Sequence, residues 1–179
     1  MANVDVDPRR TLRTLQVGNQ QWSHAVAAPL THRAVGETKA LAVVIACSDL
    51  CVSPEAAFGL LPGQLLVAQV PGPFVDDGVI DTVYFGLQVL GVRLVVVLAH
   101  ESCRVLCDQG GGARLPGTAV ERLGFQLLNK AKTRKQHRAQ TCAQEQVTRL
   151  HTRARLPPDV LVVPAVLWNS GVVEMMIPQ

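Results

Sequence analysis

No stretch of this sequence comes near the roughly 20 consecutive apolar residues that a bilayer-spanning helix requires, which excludes a membrane protein of that kind. The opening Met1-Ala2-Asn3-Val4-Asp5 has neither the basic segment nor the apolar core of a secretory leader, so the expected compartment is a reducing cytoplasm. Five cysteines, an odd number, argue against a closed disulfide framework and for thiols that serve as ligands or core residues. Charge of one sign is also scarce. The formal net charge is +3, and the basic residues gather mainly between Lys130 and Arg138, a run without a single aromatic in a chain that is only 4% aromatic. A basic run with no stacking platform is read as a solvated face, and no nucleic-acid partner is expected. Internal repeats and low-complexity segments are absent.

What is present suits a single α/β domain. A chain of 179 residues with a hydrophobic fraction of 48% can bury a sheet covered on both faces. The expected domain spans 1–179, with residues 1–36 as an N-terminal helical arm. Asp7-Pro8 reads as an N-cap followed by proline at the first helical position, opening a helix to about Trp22. Leu41 to Ala46 is an unbroken apolar run, the pattern of a parallel strand buried on both faces. A short helix is expected at Pro54-Glu55, a second strand over Leu65 to Val70, and a loop forced by Pro71-Gly72-Pro73. Asp76 or Asp77 caps the next helix, in which Val79, Ile80, Val83, Tyr84, Leu87 and Leu90 recur at helical spacing until Gly91. Arg93 to Ala99 reads as the third strand. Thr118 and Glu121 form one capping box, and Thr141 to Gln144 a second, for a helix reaching about Arg153. Val160 to Trp168 and Val172 to Ile177, joined by Asn169-Ser170-Gly171, form an antiparallel hairpin. The fold class is therefore a central, mostly parallel sheet flanked by helices and closed by a C-terminal antiparallel strand.

Two of these strands end in residues that carry chemistry. The first runs into Cys47-Ser48-Asp49, and the third delivers His100-Glu101-Ser102-Cys103. Carboxyl ends of parallel strands are where open α/β sheets place their sites. Two thiolates and an imidazole are also the three ligands with which a catalytic zinc site leaves its fourth tetrahedral position open. Each residue has a plainer alternative: Cys47 and Cys103 as buried thiols, Asp49 as a cap for the helix near Pro54. Cys51 and Cys107 read as loop or core thiols, Cys142 as helix packing, and His24, His32, His137 and His151 as surface residues without ligand spacing.

In order and character these motifs resemble the β-class carbonic anhydrases. Gly18-Asn19-Gln20-Gln21-Trp22 is similar to that family's N-terminal helix, Cys47-x-Asp49 with Pro54-Glu55 to its first ligand motif, and His100-x-x-Cys103 to its second. The segment from Asp81 through Gly91-Val92 to Val97 and the closing hairpin follow suit. The resemblance implies Zn²⁺ bound by Cys47, His100 and Cys103 with water in the fourth place, acidified to a pKa of about 7 for attack on carbon dioxide. It also implies Asp49 as the catalytic carboxylate that accepts a hydrogen bond from that water, and a homodimer or higher even oligomer. The expected partner is a small molecule, carbon dioxide and bicarbonate or an isostere.

Four positions depart from the family's pattern. Cys51 stands where an arginine pairs with the aspartate, Gln69 and Pro73 where an arginine and an asparagine are usual, and Arg104 where a glycine follows the second cysteine. Cys51, Gln69 and Arg104 are therefore read as pocket residues that set this chain apart. A thiol cannot hold a carboxylate as a guanidinium does. Asp49 is accordingly expected either to lack a cationic partner and close onto the metal, or to take one from Arg104. Two readings of function follow: a zinc lyase or hydrolase acting on carbon dioxide, carbonyl sulfide or carbon disulfide, and a zinc-stabilised binding or assembly subunit without turnover. The intact ligand set and Asp49 favour the enzyme.

Overall fold

A computed structural model of the chain describes residues 39–107 and 135–176, together with Gln16. The chain divides into two compact units, Met1–Thr38 and Lys39–Gln179, and the sheet and its helices belong to the second. Apart from Gln16, the expected helix from Pro8 to Trp22 lies outside the described residues, as does the capping box at Thr118.

Five strands form one sheet in the order β2-β1-β3-β4-β5: β1 Ala42–Cys47, β2 Leu65–Val70, β3 Leu94–His100, β4 Leu161–Leu167 and β5 Val173–Met175. The first four pair in parallel, and β5 runs antiparallel to β4, so the expected mostly parallel sheet with a closing antiparallel strand is found. Every residue of β1 is buried, as its unbroken apolar run requires of a strand covered on both sides. Alternation then sorts the side chains. Val43, Ile45, Val95, Val97 and Ala99 join one core cluster with residues of two long helices, while Ala42, Val44, Ala46, Val96 and Leu98 form a second cluster on the other face. Leu50, Phe58 and Leu60, around the short helix α1 (Pro54–Ala57), pack against that second cluster.

Helix α2 (Asp77–Gln88) starts where Asp76 accepts a hydrogen bond from the backbone N–H of Val79 at 2.9 Å, which settles the cap on Asp76 rather than Asp77. Its buried face is Val79, Ile80, Val83, Gly86 and Leu87. Between β3 and β4 lie the one-turn helix α3 (Arg104–Cys107) and the long helix α4 (Lys135–Arg153). The expected start of α4 at Thr141 is corrected: Thr141 lies inside the helix. A stripe of Ala139, Cys142, Ala143, Gln146 and Leu150, all buried, fixes α4 on the sheet and begins upstream of the local capping pattern, which packing overrides. The hairpin strands are shorter than expected, and the turn between them is closed by the Trp168 N–H donating to the Val172 carbonyl at 2.9 Å. Among the described residues no helix is long and apolar enough to cross a membrane.

Candidate metal centre

The strand order creates the site. Strand β2 lies on one side of β1 and β3 on the other, so the chain reverses its direction of growth between β1 and β3, and open α/β sheets bind ligands in the crevice at that reversal. Cys47 is the last residue of β1 and His100 the last of β3, and the parallel register that pairs Ala46 with Leu98 brings the two ends together. Cys103 follows three residues later, just before α3. Sequence spacing alone could not bring Cys47 to Cys103; the adjacency of the two strands does, with their sulfurs 3.6 Å apart.

Cys47, Asp49, His100 and Cys103 each present a ligand atom, and these atoms all lie within 4.8 Å of one another. Both cysteines are fully buried and His100 is 7% exposed. The Cys47 sulfur accepts backbone N–H groups from Gly72 at 3.2 Å and Asp49 at 3.4 Å. The hydrogen bond with Cys103 outweighs burial and, with help from His100 and the two backbone donors, holds the Cys47 thiol down at about 5, so the group is a thiolate near neutral pH. The Nε2 atom of His100 is buried without a hydrogen-bond partner. A buried, unpaired ring nitrogen beside a thiolate and a second thiol is a costly arrangement unless a cation completes it, and the S, S, N donor set fits zinc.

The fourth member of the cluster is held differently. Asp49, whose side chain is 12% exposed, accepts the backbone N–H of Arg104 on Oδ2 at 2.7 Å and Nε of Arg104 on Oδ1 at 2.6 Å, with Nη2 at 2.5 Å from Oδ1. Partial burial pushes the carboxyl up, but these contacts prevail and bring it below its ordinary range. The expectation of an Asp49 without a cationic partner is thereby corrected: Cys51 does not supply one, but Arg104 does.

The remaining expected pocket residues sit around this centre. Cys51 is exposed, its sulfur 4.0 Å from the Asp49 carbonyl oxygen, too long for more than a weak contact. Gln69 is exposed and paired in register with Ala46, one step before the end of β1. Pro73 is buried, and Cys107 lies in α3.

Four residues that were not assigned to the site from the sequence, Gly72, Cys142, Gln146 and Arg149, shape it. Gly72 has φ +72°, and a Cβ there would lie 2.9 Å from Cγ1 of Val105; only glycine lets the Pro71-Gly72-Pro73 loop bring its N–H onto the Cys47 sulfur. The carbonyl of the same glycine faces the Cys142 thiol at 3.9 Å, and Cys142 joins Cys47 and Cys103 in one buried cluster. Burial pushes the Cys142 thiol up to about 12, so this third sulfur stays protonated beside the thiolate. Gln146 of α4, 1% exposed, accepts the N–H of Val75 at 3.0 Å, while Arg149 donates to the Val75 carbonyl at 2.6 Å and lies over the Phe74 ring at 4.8 Å. Helix α4 thus anchors the loop that carries Gly72. A proline-flanked glycine straight after a strand was the visible signal for it; Gln146 had none, since its partner is distant in sequence.

Fold and site together define an α/β protein with a Cys-Asp-His-Cys cluster, capable of holding a metal, at the reversal point of a parallel sheet. Comparison with known proteins gives that class a name. Residues 42–160 match the carbonic anhydrase family, and the chain belongs to the β-class of that family. It is 29% identical over 105 residues to carbonic anhydrase 2 of Mycobacterium tuberculosis, a match covering 55% of this chain and 51% of that protein. It is 37% identical over 62 residues to a carbonic anhydrase of Mycolicibacterium smegmatis, covering 35% of this chain and 30% of the other. The chain thus spans about half, or less, of the curated relatives it matches. Among solved structures, a tetrameric β-carbonic anhydrase of Sordaria macrospora superposes with a TM-score of 0.73 at 16% identity, over 93% of this chain and 97% of that one. The Coccomyxa β-carbonic anhydrase in complex with acetazolamide gives 0.68 at 17% identity, over 93% and 86%. At such identities these two structures speak for the fold.

Proposed function

We propose that this chain is a zinc-dependent lyase that hydrates carbon dioxide to bicarbonate, with a proton released for each molecule converted. Cys47, His100 and Cys103 hold the zinc, and Asp49 is the catalytic carboxylate. When bound, the metal acts as a Lewis acid that makes a nucleophile available from water near neutral pH. The chain's own residues do the rest. The buried thiols and His100 fix three donors in place, and the N–H groups of Gly72 and Asp49 orient the Cys47 sulfur. Asp49 accepts a hydrogen bond from the attacking water and so directs its lone pair toward the carbon. The apolar ends of β1 and β3 limit bulk water around a substrate that carries no charge.

One observation carries this reading: in a member of this family, the Nε2 atom of His100 is buried without a partner beside the paired sulfurs of Cys47 and Cys103. We further propose a single domain over 1–179 with residues 1–36 as its N-terminal helical arm, a cytoplasmic location, and a homodimer or higher even oligomer. The Sordaria protein, described as tetrameric, is consistent with such an assembly. The functional reading is tested by stopped-flow hydration of carbon dioxide with metal-quantified protein. A rate proportional to zinc content and abolished in Cys103→Ser supports it; zinc-loaded protein no faster than buffer overturns it.

A further inference from the structure

Position 51 leaves Asp49 without the neighbour its family would give it, yet both of its oxygens are engaged. One residue engages them: the backbone N–H of Arg104 meets Oδ2, and its guanidinium meets Oδ1 through two nitrogens. We propose that Arg104 is the positioning residue for Asp49 in this chain. It replaces position 51 in that task and holds the carboxylate away from the fourth metal position from the opposite side of the site.

The geometry distinguishes this contact from an ordinary surface ion pair. Exposed pairs contribute little because two long side chains must be ordered to make them. Here the acid is short and 12% exposed, and one of its three contacts is a backbone donor at the start of α3, fixed by the chain itself. The guanidinium, 71% exposed, reaches in from solvent and leaves the buried wall of thiols undisturbed. With two contacts on Oδ1 and one on Oδ2, the carboxylate keeps a lone pair on Oδ2 to accept from water. Because Asp49 follows β1 and Arg104 follows β3, the contact also ties together the two segments that carry the metal-binding side chains. An arginine at position 51 would keep the whole pair on the β1 side and tie nothing. Without the guanidinium, Oδ1 is unpaired within reach of the cluster, where a divalent cation is the strongest charge available to it.

This inference rests on the proposed zinc site, and its test is chosen to fail separately from it. Wild type, Arg104→Ala, Arg104→Gln and the double variant Arg104→Ala with Cys51→Arg are prepared with zinc and with cobalt. Cobalt absorption is followed across pH, alongside zinc retention against a chelator and carbon dioxide hydration. The expected result for Arg104→Ala is a cobalt spectrum that no longer changes with pH, as the carboxylate takes the fourth place, and a rate lower by about 10–100-fold, the usual scale for residues supporting a metal site. Arg104→Gln changes in the same direction and covers the case in which the alanine variant folds poorly. The double variant regains the pH-dependent spectrum. An Arg104→Ala spectrum that titrates as the wild type does overturns the positioning role, whatever the rate. A folded double variant indistinguishable from Arg104→Ala overturns the claim that Arg104 replaces position 51. A wild type that hydrates no carbon dioxide while the spectral change persists removes the functional reading and leaves the positioning role standing. A wild type that binds neither metal overturns both.

Discussion

Replacing Gly72 by alanine adds one methyl group to the protein at the point where the loop after β2 touches the Cys47 sulfur. Two costs and one gain can be worked out from the structure. At φ +72° an L-residue carries a penalty of roughly 1–2 kcal/mol. The new Cβ would lie 2.9 Å from Cγ1 and 3.4 Å from Cβ of Val105, a branched side chain with little freedom to yield, so overpacking adds about 1–3 kcal/mol. Reduced freedom of the unfolded chain returns about 0.4–1 kcal/mol. The net is a destabilisation of about 3 kcal/mol, within a span of roughly 1–5. Urea unfolding of Gly72→Ala, Val105→Ala and the double variant checks the origin of the loss. Removing the Val105 methyl groups relieves the clash, so the double variant is more stable than the sum of the single effects by at least about 1 kcal/mol. The conformational penalty remains. Zinc retention weakens in Gly72→Ala as well, because the N–H that orients the Cys47 sulfur is displaced. A Gly72→Ala protein as stable as wild type, or single effects that simply add, would contradict a clash between position 72 and Val105.

Gly86→Ala tests helix packing against propensity: alanine is the better helix former by about 1 kcal/mol, but its Cβ would run into Val43 Cγ2 and Leu66, so urea unfolding is expected to show a net loss of about 1–2 kcal/mol. Thiol reactivity should separate the cysteines. In native zinc-loaded protein, peptide mapping after a short pulse of a disulfide reagent finds exposed Cys51 modified and Cys142, buried and pushed up to about 12, modified only on unfolding. In metal-free protein the Cys47 thiol is depressed from its ordinary 9.0 to about 5, so its contribution to stability is complete above 9 and is lost as pH falls through 5. Denaturant melts of chelated protein should therefore gain stability between pH 5 and 9, and Cys47→Ala should flatten that slope.

Much of this architecture could be read from local pattern, for identifiable physical reasons. Strand β1 is buried on both faces and β2 lies between a glycine turn and a proline-glycine loop, so apolar runs and breakers marked their limits closely. Asp76 capped α2 because a carboxylate before an amphipathic stripe has few better uses. The residues of the Cys-Asp-His-Cys cluster stood out because cysteine and histidine at strand ends are unusual in a chain of this composition. Other features were decided over distance. Thr141 carried a capping pattern of its own, yet the stripe from Ala139 to Leu150 meets the sheet and carries α4 upstream through it. The pairing of Asp49 with Arg104 joins residues that follow two different strands; the sequence allowed Arg104 as one alternative, and only the adjacency of β1 and β3 brings it within 2.7 Å. Gln146 accepts a backbone N–H on its side-chain amide and Gly72 donates its own, and no local pattern names either partner.

X-ray absorption at the zinc edge of purified, metal-quantified protein reads the donor set at Cys47, His100 and Cys103 itself. The expected result is close to one zinc per chain with two sulfur neighbours at about 2.3 Å and two nitrogen or oxygen neighbours at about 2.0–2.2 Å, falling to one sulfur in whatever metal Cys103→Ser retains. Folded protein without zinc, or zinc surrounded by light atoms alone, would contradict it.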